Sequence, residues 1–351
     1  MNLCYAGFQE LSFTSKLRSQ LLLTALVLTF ICNMISPVFA TPVNDKYLPT
    51  IKKSLMFDVA VVDGVAVVVG EQGFVLLSTD SGENWKQVEV PANVALTGVY
   101  FHDAKLGWAV GYDHVIIRTR DGGKNWELLY SETEADGPLL DVFFLDAKNG
   151  FAIGAYGAFL TTADGGDSWN KGQLNLVSVS AAGSNNPEDE EFTDYHLNQI
   201  AKSNSGKLYI AAEGGHMYRS DDNGLNWVSL SSPYIGSFFG VLPIDGESLL
   251  MFGLRGNLFR SSDSGKNWLK VDTGTKTLLA CGFQLLDGTV LVSGNGGVVL
   301  YSNDGGCSFK LQQLPQCRGV SAGTLVDADS LLFVGAFGVK KITVDKLNLS
   351  N

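Results

Sequence analysis

The chain has 351 residues, 25 of them basic and 36 acidic, for a net charge of −11, and it carries 40 glycines but only 9 prolines. An acidic balance of this size argues against nucleic acid and anionic lipid as general partners. Short runs of Val, Ile, Leu and Phe between glycines, with no amphipathic helical period after residue 41, indicate an all-β chain.

The first 40 residues read as a signal peptide. Lys16 and Arg18 precede an apolar run from Leu21 to Ile35, and Val38 and Ala40 occupy the −3 and −1 positions of a cleavage site before Thr41. About 15 apolar residues suit a signal h-region better than a membrane span. A lipid anchor on Cys32 is disfavoured by the bulky Ile31 before it. The expected mature chain, residues 41–351, loses Lys16, Arg18 and Glu10 and has a net charge of −12. Its expected location is periplasmic or secreted, as a monomer.

From residue 78 onward one phrase organises the chain. Ser78-Thr79-Asp80-Ser81-Gly82-Glu83-Asn84-Trp85 returns at Thr119–Trp126, Thr162–Trp169, Ser220–Trp227, Ser261–Trp268 and Ser302–Phe309, with the form [ST]-x-D-x-G-x-x-[WF]. Its aspartates, Asp80, Asp121, Asp164, Asp222, Asp263 and Asp304, are spaced by 41, 43, 58, 41 and 41 residues, and a worn seventh copy lies 41 further on at Thr343-Val344-Asp345. A period near 40 signals a repeat architecture. The phrase reads as a turn: the carboxylate accepts from backbone N–H groups one or two residues on, the glycine supplies positive φ, and the aromatic anchors the next strand. A motif that recurs once per repeat is structural, because an active site needs different residues converging once.

Each repeat carries four short strands, as in Asp141–Leu145, Gly150–Ile153, Ala158–Thr161 and Trp169 onward, and such a unit is one propeller blade. Seven units of 41 residues, with 17 more in the long interval, account for 304 of the 311 residues of the mature chain. The expectation is a seven-bladed β-propeller over 41–351, with blades at about 54–92, 94–133, 138–177, 196–232, 236–273, 277–315 and 318–345. Blade seven is short of a strand, and residues 43–53 are expected to supply it and close the ring, since an open ring would expose sheet edges.

Ten residues before each aspartate stands a turn between strands two and three, as in Gly70–Gly73, Gly154–Gly157, Gly253–Gly256 and Gly294–Gly297. These glycines read as hairpin positions needing positive φ, and with no helix following they are not phosphate loops. In a propeller these turns share a face with the blade-to-blade links. That face should also carry the insertion Ser180–Tyr195, with its acidic run Asn185–Glu191. Exposed aromatic, charged and Arg residues there, namely Tyr112, Asp113, His114, Tyr156, Arg255 and Phe337, are the candidate partner-binding set. The innermost strands place Asp58, Asp141 and Asn198 at the channel, where they either ligate something or bond neighbouring backbone N–H groups. Of the cysteines in the mature chain, Cys307 and Cys317 fall about 20 Å apart by strand geometry, too far for a disulfide, whereas Cys281 and Cys317 could meet. No C-x-x-C pair or metal-spaced His cluster occurs, so no metal, cofactor or catalytic residue is expected.

The repeated phrase is the Asp-box, or bacterial neuraminidase repeat. In its fuller form, Asp141-Val-Phe-Phe-Leu-Asp146, Gly150-Phe-Ala-Ile-Gly154 and Leu160-Thr-Thr-Ala-Asp-Gly-Gly-Asp-Ser-Trp169, with Gly107–Gly111 and Arg118–Trp126 repeating it, the chain resembles the photosystem II stability/assembly factor family. The resemblance implies a non-enzymatic lumenal or periplasmic factor that holds membrane-protein intermediates during assembly, in the thylakoid lumen where the host is a phototroph. It also implies a patch of arginines on one face. This chain has seven arginines, one of them in the leader, and so reads as a relative from a non-photosynthetic bacterium that serves another membrane or envelope complex. The alternative is a glycoside hydrolase of sialidase-like or xyloglucanase-like Asp-box type. Sialidases need three converging arginines and a Phe/Tyr-Arg-Ile-Pro stretch that is missing here; xyloglucanases need two propellers and paired catalytic aspartates.

Overall fold

The second strand of every blade is apolar but for Ser293 and Ser330: Val65–Gly70, Gly107–Gly111, Gly150–Gly154, Leu208–Ala212, Leu249–Gly253, Val290–Gly294 and Ser330–Gly335. Such strands must be covered on both faces, and apart from Val65, at the start of the first, every residue in them is buried. The structure, a computed structural model, describes residues 51–177 and 195–347. Within them the chain forms seven antiparallel sheets taken in sequence order, six of four strands and one, the last, of three. This is the seven-bladed all-β propeller expected. The signal peptide, residues 43–50 and the insertion at 180–194 lie outside the described residues.

The innermost strands are Met56–Val62, Leu96–Phe101, Leu139–Phe144, Leu197–Lys202, Phe238–Pro243, Leu279–Gln284 and Val320–Asp327. Between consecutive blades sit seven apolar clusters among the described residues, one per seam. The seam between blades seven and one packs Met56, Val68, Leu76 and Trp85 against Ala322, Val326, Leu332 and Val334, so side-chain burial closes the ring. The described end of the segment expected to close it, residues 51–53, is a helical turn and not a strand. Its Lys52 carbonyl accepts from Val339 N–H at 3.1 Å, on the last strand of blade seven, Gly338–Thr343.

The Asp-box aromatics fasten these seams. Trp227 is wholly buried between blades three and four, and its indole N–H donates to the Gly224 carbonyl at 3.1 Å. Three arginines add polar ties from one blade to the next blade's box: Arg118 Nη1 to the Gly165 carbonyl at 2.7 Å, Arg219 to Ser264 at 2.8 Å and Arg260 to Gly305 at 2.9 Å. Arg118 is 4% exposed and also pairs with Glu127 and Asp167, each at 2.7 Å. These guanidiniums are spent on the frame.

The glycine-bracketed turns differ from expectation in a physically informative way. The first glycine is extended, with φ of −160° at Gly70 and −173° at Gly111. It is there because a Cβ would strike the carbonyl just before the inner strand, at 2.1 Å from Ala95 O for Gly111 and 2.0 Å from Leu278 O for Gly294. That carbonyl accepts the next residue's N–H in all seven blades, as in Tyr112 to Ala95 and Asn295 to Leu278. In blades one to six the positive φ falls instead on the third and fourth turn residues, and in blade seven on the fourth, Gly338.

Replacing Trp227 with Ala is expected to cost about 3–5 kcal/mol by emptying a seam. Replacing Leu269, 73% exposed on an outer strand, should change stability by no more than about 0.5 kcal/mol. Urea midpoints of the two variants at a common m-value check this.

Candidate partner-binding face

The Asp-boxes are saturated fastenings. Asp80 Oδ1 accepts from Ser78 Oγ and from Asn84 N, both at 2.8 Å, and Oδ2 accepts from Asn84 Nδ2 at 2.8 Å, while Ser78 Oγ accepts from Gly82 N at 2.9 Å. The carboxylate thus reaches four residues on, not one or two. The pattern repeats at Asp121, Asp164, Asp222, Asp263 and Asp304. The seventh position is always Asn or Ser (Asn84, Asn125, Ser168, Asn226, Asn267, Ser308), a regularity the sequence displays but the x-x of the motif passes over. Hydrogen bonds from this residue hold the Asp80, Asp164, Asp263 and Asp304 carboxyls down at about 2. Carboxylates held this way carry no proton to donate at neutral pH.

The channel residues are latches between inner strands. Asp58 accepts from Val59 N and, across to blade two, from Val99 N, each at 2.8 Å. Asp141 accepts from Val142 N at 2.8 Å and from Ile200 N of blade four at 2.9 Å. Asn198 Nδ2 donates to the Phe238 carbonyl of blade five at 2.7 Å, and the neighbouring Gln199 Oε1 accepts from Val241 N at 2.8 Å. Thr97 joins them by donating to the Leu139 carbonyl of blade three. Of the two readings of these positions, the backbone-bonding one describes their geometry. Burial pushes the Asp58 carboxyl up to about 7 against the pull of the two N–H donors. Burial raises Asp141 to about 8, with the charge of Asp58 adding to it and the Ile200 N–H opposing.

Cys281, Cys307 and Cys317 are free thiols; Cys281 and Cys317 are buried in the seam between blades six and seven without bonding each other. Among the described residues no group of three or more His, Cys, Asp or Glu side chains is placed to hold a metal ion.

The turns between strands two and three present what differs between blades. Tyr112 and Tyr156 are 47% and 55% exposed, and Arg255 is exposed. Asp113, Tyr156 and Arg255 share the third turn position with Gln72, all held at positive φ of 52° to 58°. Such backbone costs about 1 kcal/mol or more in a non-glycine residue, and it thrusts these side chains outward. Three members of the candidate set differ from expectation, Asp113 being half-buried. His114 is buried, 6% exposed, because it fills the fourth position, where other blades place a glycine against the following link. Phe337 is half-buried against the seam of blades six and seven.

His114 and Tyr156 meet in one cleft of about 410 Å3, which Glu132, Glu134, Asp136 and Lys171 also line. Glu132 N donates to the Asp113 carbonyl at 2.7 Å, tying the link between blades two and three to this turn. Glu132 also takes the Lys171 ammonium and lies 3.6 Å from His114 Nδ1. Sequence reasoning missed these carboxylates, although the alternating acids of Ser131-Glu132-Thr133-Glu134-Ala135-Asp136 were a signal in a link on the face under scrutiny. Phe337 lines a separate cleft with Lys52, Lys53, Gln316 and Lys340, and Arg255, on blade five, belongs to neither.

The family described as photosynthesis system II assembly factor YCF48 matches residues 77–137 and 130–280, more than half of the chain. The chain belongs to this family. It is 41% identical over 54 residues to the chloroplastic photosystem II stability/assembly factor HCF136 of Cyanidioschyzon merolae, a match spanning 15% of this chain and 12% of that relative. Among solved structures it is similar to YCF48 bound to a D1 peptide, with a TM-score of 0.64 at 17% identity over 83% of this chain and 92% of that one. It is equally similar in fold to an ancestral GH74 enzyme, with a TM-score of 0.64 at 14% identity over 84% of this chain and 45% of that one. At such identities the structures share the fold alone.

The channel carboxyls carry a pH dependence with a definite sign. Native Asp58 and Asp141 hold protons that the unfolded chain, titrating near 4, has released. Stability therefore falls as pH rises from about 4 through 7 to 8. Melting temperatures should decline over that range in the wild type. In an Asp58→Asn/Asp141→Asn double variant the slope should flatten, whatever the variant's absolute stability.

Proposed function

We propose that this protein is a non-enzymatic, exported assembly factor that holds a segment of a membrane or envelope protein through the face carrying the turns between strands two and three. Membership of the assembly-factor family supports the class, and a relative's complex with a D1 peptide supports an extended protein segment as the kind of ligand. The observation that carries the reading is the set of exposed side chains, Tyr112, Tyr156 and Arg255, raised on strained turns where the repeats diverge. Rigid aromatic and Arg tips are suited to anchoring a partner at small entropic cost.

The leader supports export to the periplasm or beyond, and the acidic surface supports a protein ligand over nucleic acid. Three of the chain's seven arginines serve as ties between blades. That supports a bacterial relative whose partner complex is other than photosystem II. The hydrolase alternative rests on Asp58 and Asp141, whose oxygens accept backbone N–H groups of their own and the neighbouring inner strands. It predicts hydrolysis of a sialoside or β-glucan that Asp58→Asn abolishes; the assembly-factor reading predicts none.

The test is affinity capture from envelope extracts with wild type and a Tyr112→Ala/Tyr156→Ala/Arg255→Ala variant of matched melting temperature. Recovery of the specific partner should fall at least about tenfold, since two or three anchors at about 1–2 kcal/mol each suffice for that. Equal recovery overturns the assignment of the face.

A further inference from the structure

The cleft between blades two and three has a chemistry of its own. Glu132, Glu134 and Asp136 stand on one wall, and a single cation, Lys171, is spent on Glu132. At the floor His114 is 6% exposed, and neither ring nitrogen has a hydrogen-bond partner, with Nδ1 3.6 Å from the Glu132 carboxylate. Burial holds its pKa below the ordinary value, against the pull of the Glu132 carboxylate. At the mouth Tyr156, 55% exposed, is held by an edge-on contact with His196 at 5.0 Å between ring centres. Carboxylates, an idle nitrogen and an exposed aromatic face together attract a cation, and a guanidinium best of all, because it stacks on the ring while bonding oxygen. Anionic groups meet like charge here, on a chain whose net charge is already −11.

We propose that this cleft receives an arginine or lysine side chain of the bound partner segment, with Glu134 and Asp136 as its counter-charges and Tyr156 as its stacking platform. The inference rests on the partner-binding face proposed above and specifies what the segment must carry. Lys171, itself exposed, already pairs with Glu132, and the Tyr130 hydroxyl donates to the same carboxylate. A second cation, from the partner, would fill the outer half of the cleft and leave that pair in place.

The probes are fluorescein-labelled Gly/Ser decapeptides bearing two arginines at alternate central positions, with Leu and Glu versions as controls, titrated by anisotropy into the whole protein. The arginine peptide should bind at least tenfold tighter than either control. It should weaken tenfold or more in a Glu134→Gln/Asp136→Asn variant of matched melting temperature, both side chains being exposed, and between 50 and 500 mM salt. Tyr156→Ala should weaken it further. Equal binding of the three peptides, no binding of the arginine peptide, or indifference to the double variant each overturns the proposal. Failure is separable from failure of the face itself: if envelope partner capture still depends on Tyr112, Tyr156 and Arg255 while the arginine peptide shows no preference, only the cationic anchor falls.

Discussion

No blade of this protein can bury its own middle strand. A single twisted sheet has two faces, and here both faces of the second strand are apolar in each repeat. Stability therefore resides in the seams, and every seam needs two blades. The consequence is closure: blade seven must meet blade one, and it does so through the cluster around Met56, Trp85 and Leu332, its own sheet having three strands among the described residues. Because burial is shared in this way, a lost seam residue such as Trp227 affects two repeats at once.

Two polar systems sit on this apolar frame. At the channel, side chains of one inner strand bond the backbone of the next, Asp58 to Val99 and Asp141 to Ile200, a way of supplying partners to buried backbone where strands of different blades come close but do not pair. At the rim, each Asp-box closes on itself through Ser or Thr, Asp and the Asn or Ser at its seventh position, and the boxes of blades three, five and six offer a carbonyl to an arginine of the preceding blade. Both systems use carboxylates, with opposite electrostatics. Rim aspartates are solvated and richly bonded, hence acidic; channel aspartates are desolvated, hence reluctant to ionise.

What remains for function is the face on which the repeats disagree. The third turn position is glycine in blades four and six but Gln72, Asp113, Tyr156 and Arg255 in blades one, two, three and five, each kept in a costly left-handed conformation. The fold does not need those side chains, since Gly214 and Gly296 do the same backbone work. Side chains that the frame does not require, on turns held rigid by the carbonyl before each inner strand, are well placed to meet another molecule. The acidic link between blades two and three adds charge to that surface and gives it a sign.

Much of this was written in the chain. The period of 41, the box and the apolar middle strands determine the blade count, the strand order and the face on which each turn lies, because they are local patterns whose geometry repeats. The resemblance of the blade pattern to the assembly-factor family was legible for the same reason. Side-chain environments were not. His114 was expected at the surface and is buried, since its turn position faces the next link; the first turn glycines answer a carbonyl 2.0 to 2.6 Å from a missing Cβ and not a left-handed φ. Glu132, Glu134 and Asp136 became part of a site only when the link carrying them was laid against Tyr156. The acidic cleft depends on contacts between neighbouring blades, and the glycine approach on a turn packing against the start of its own blade's inner strand; such contacts exist only once the chain has folded.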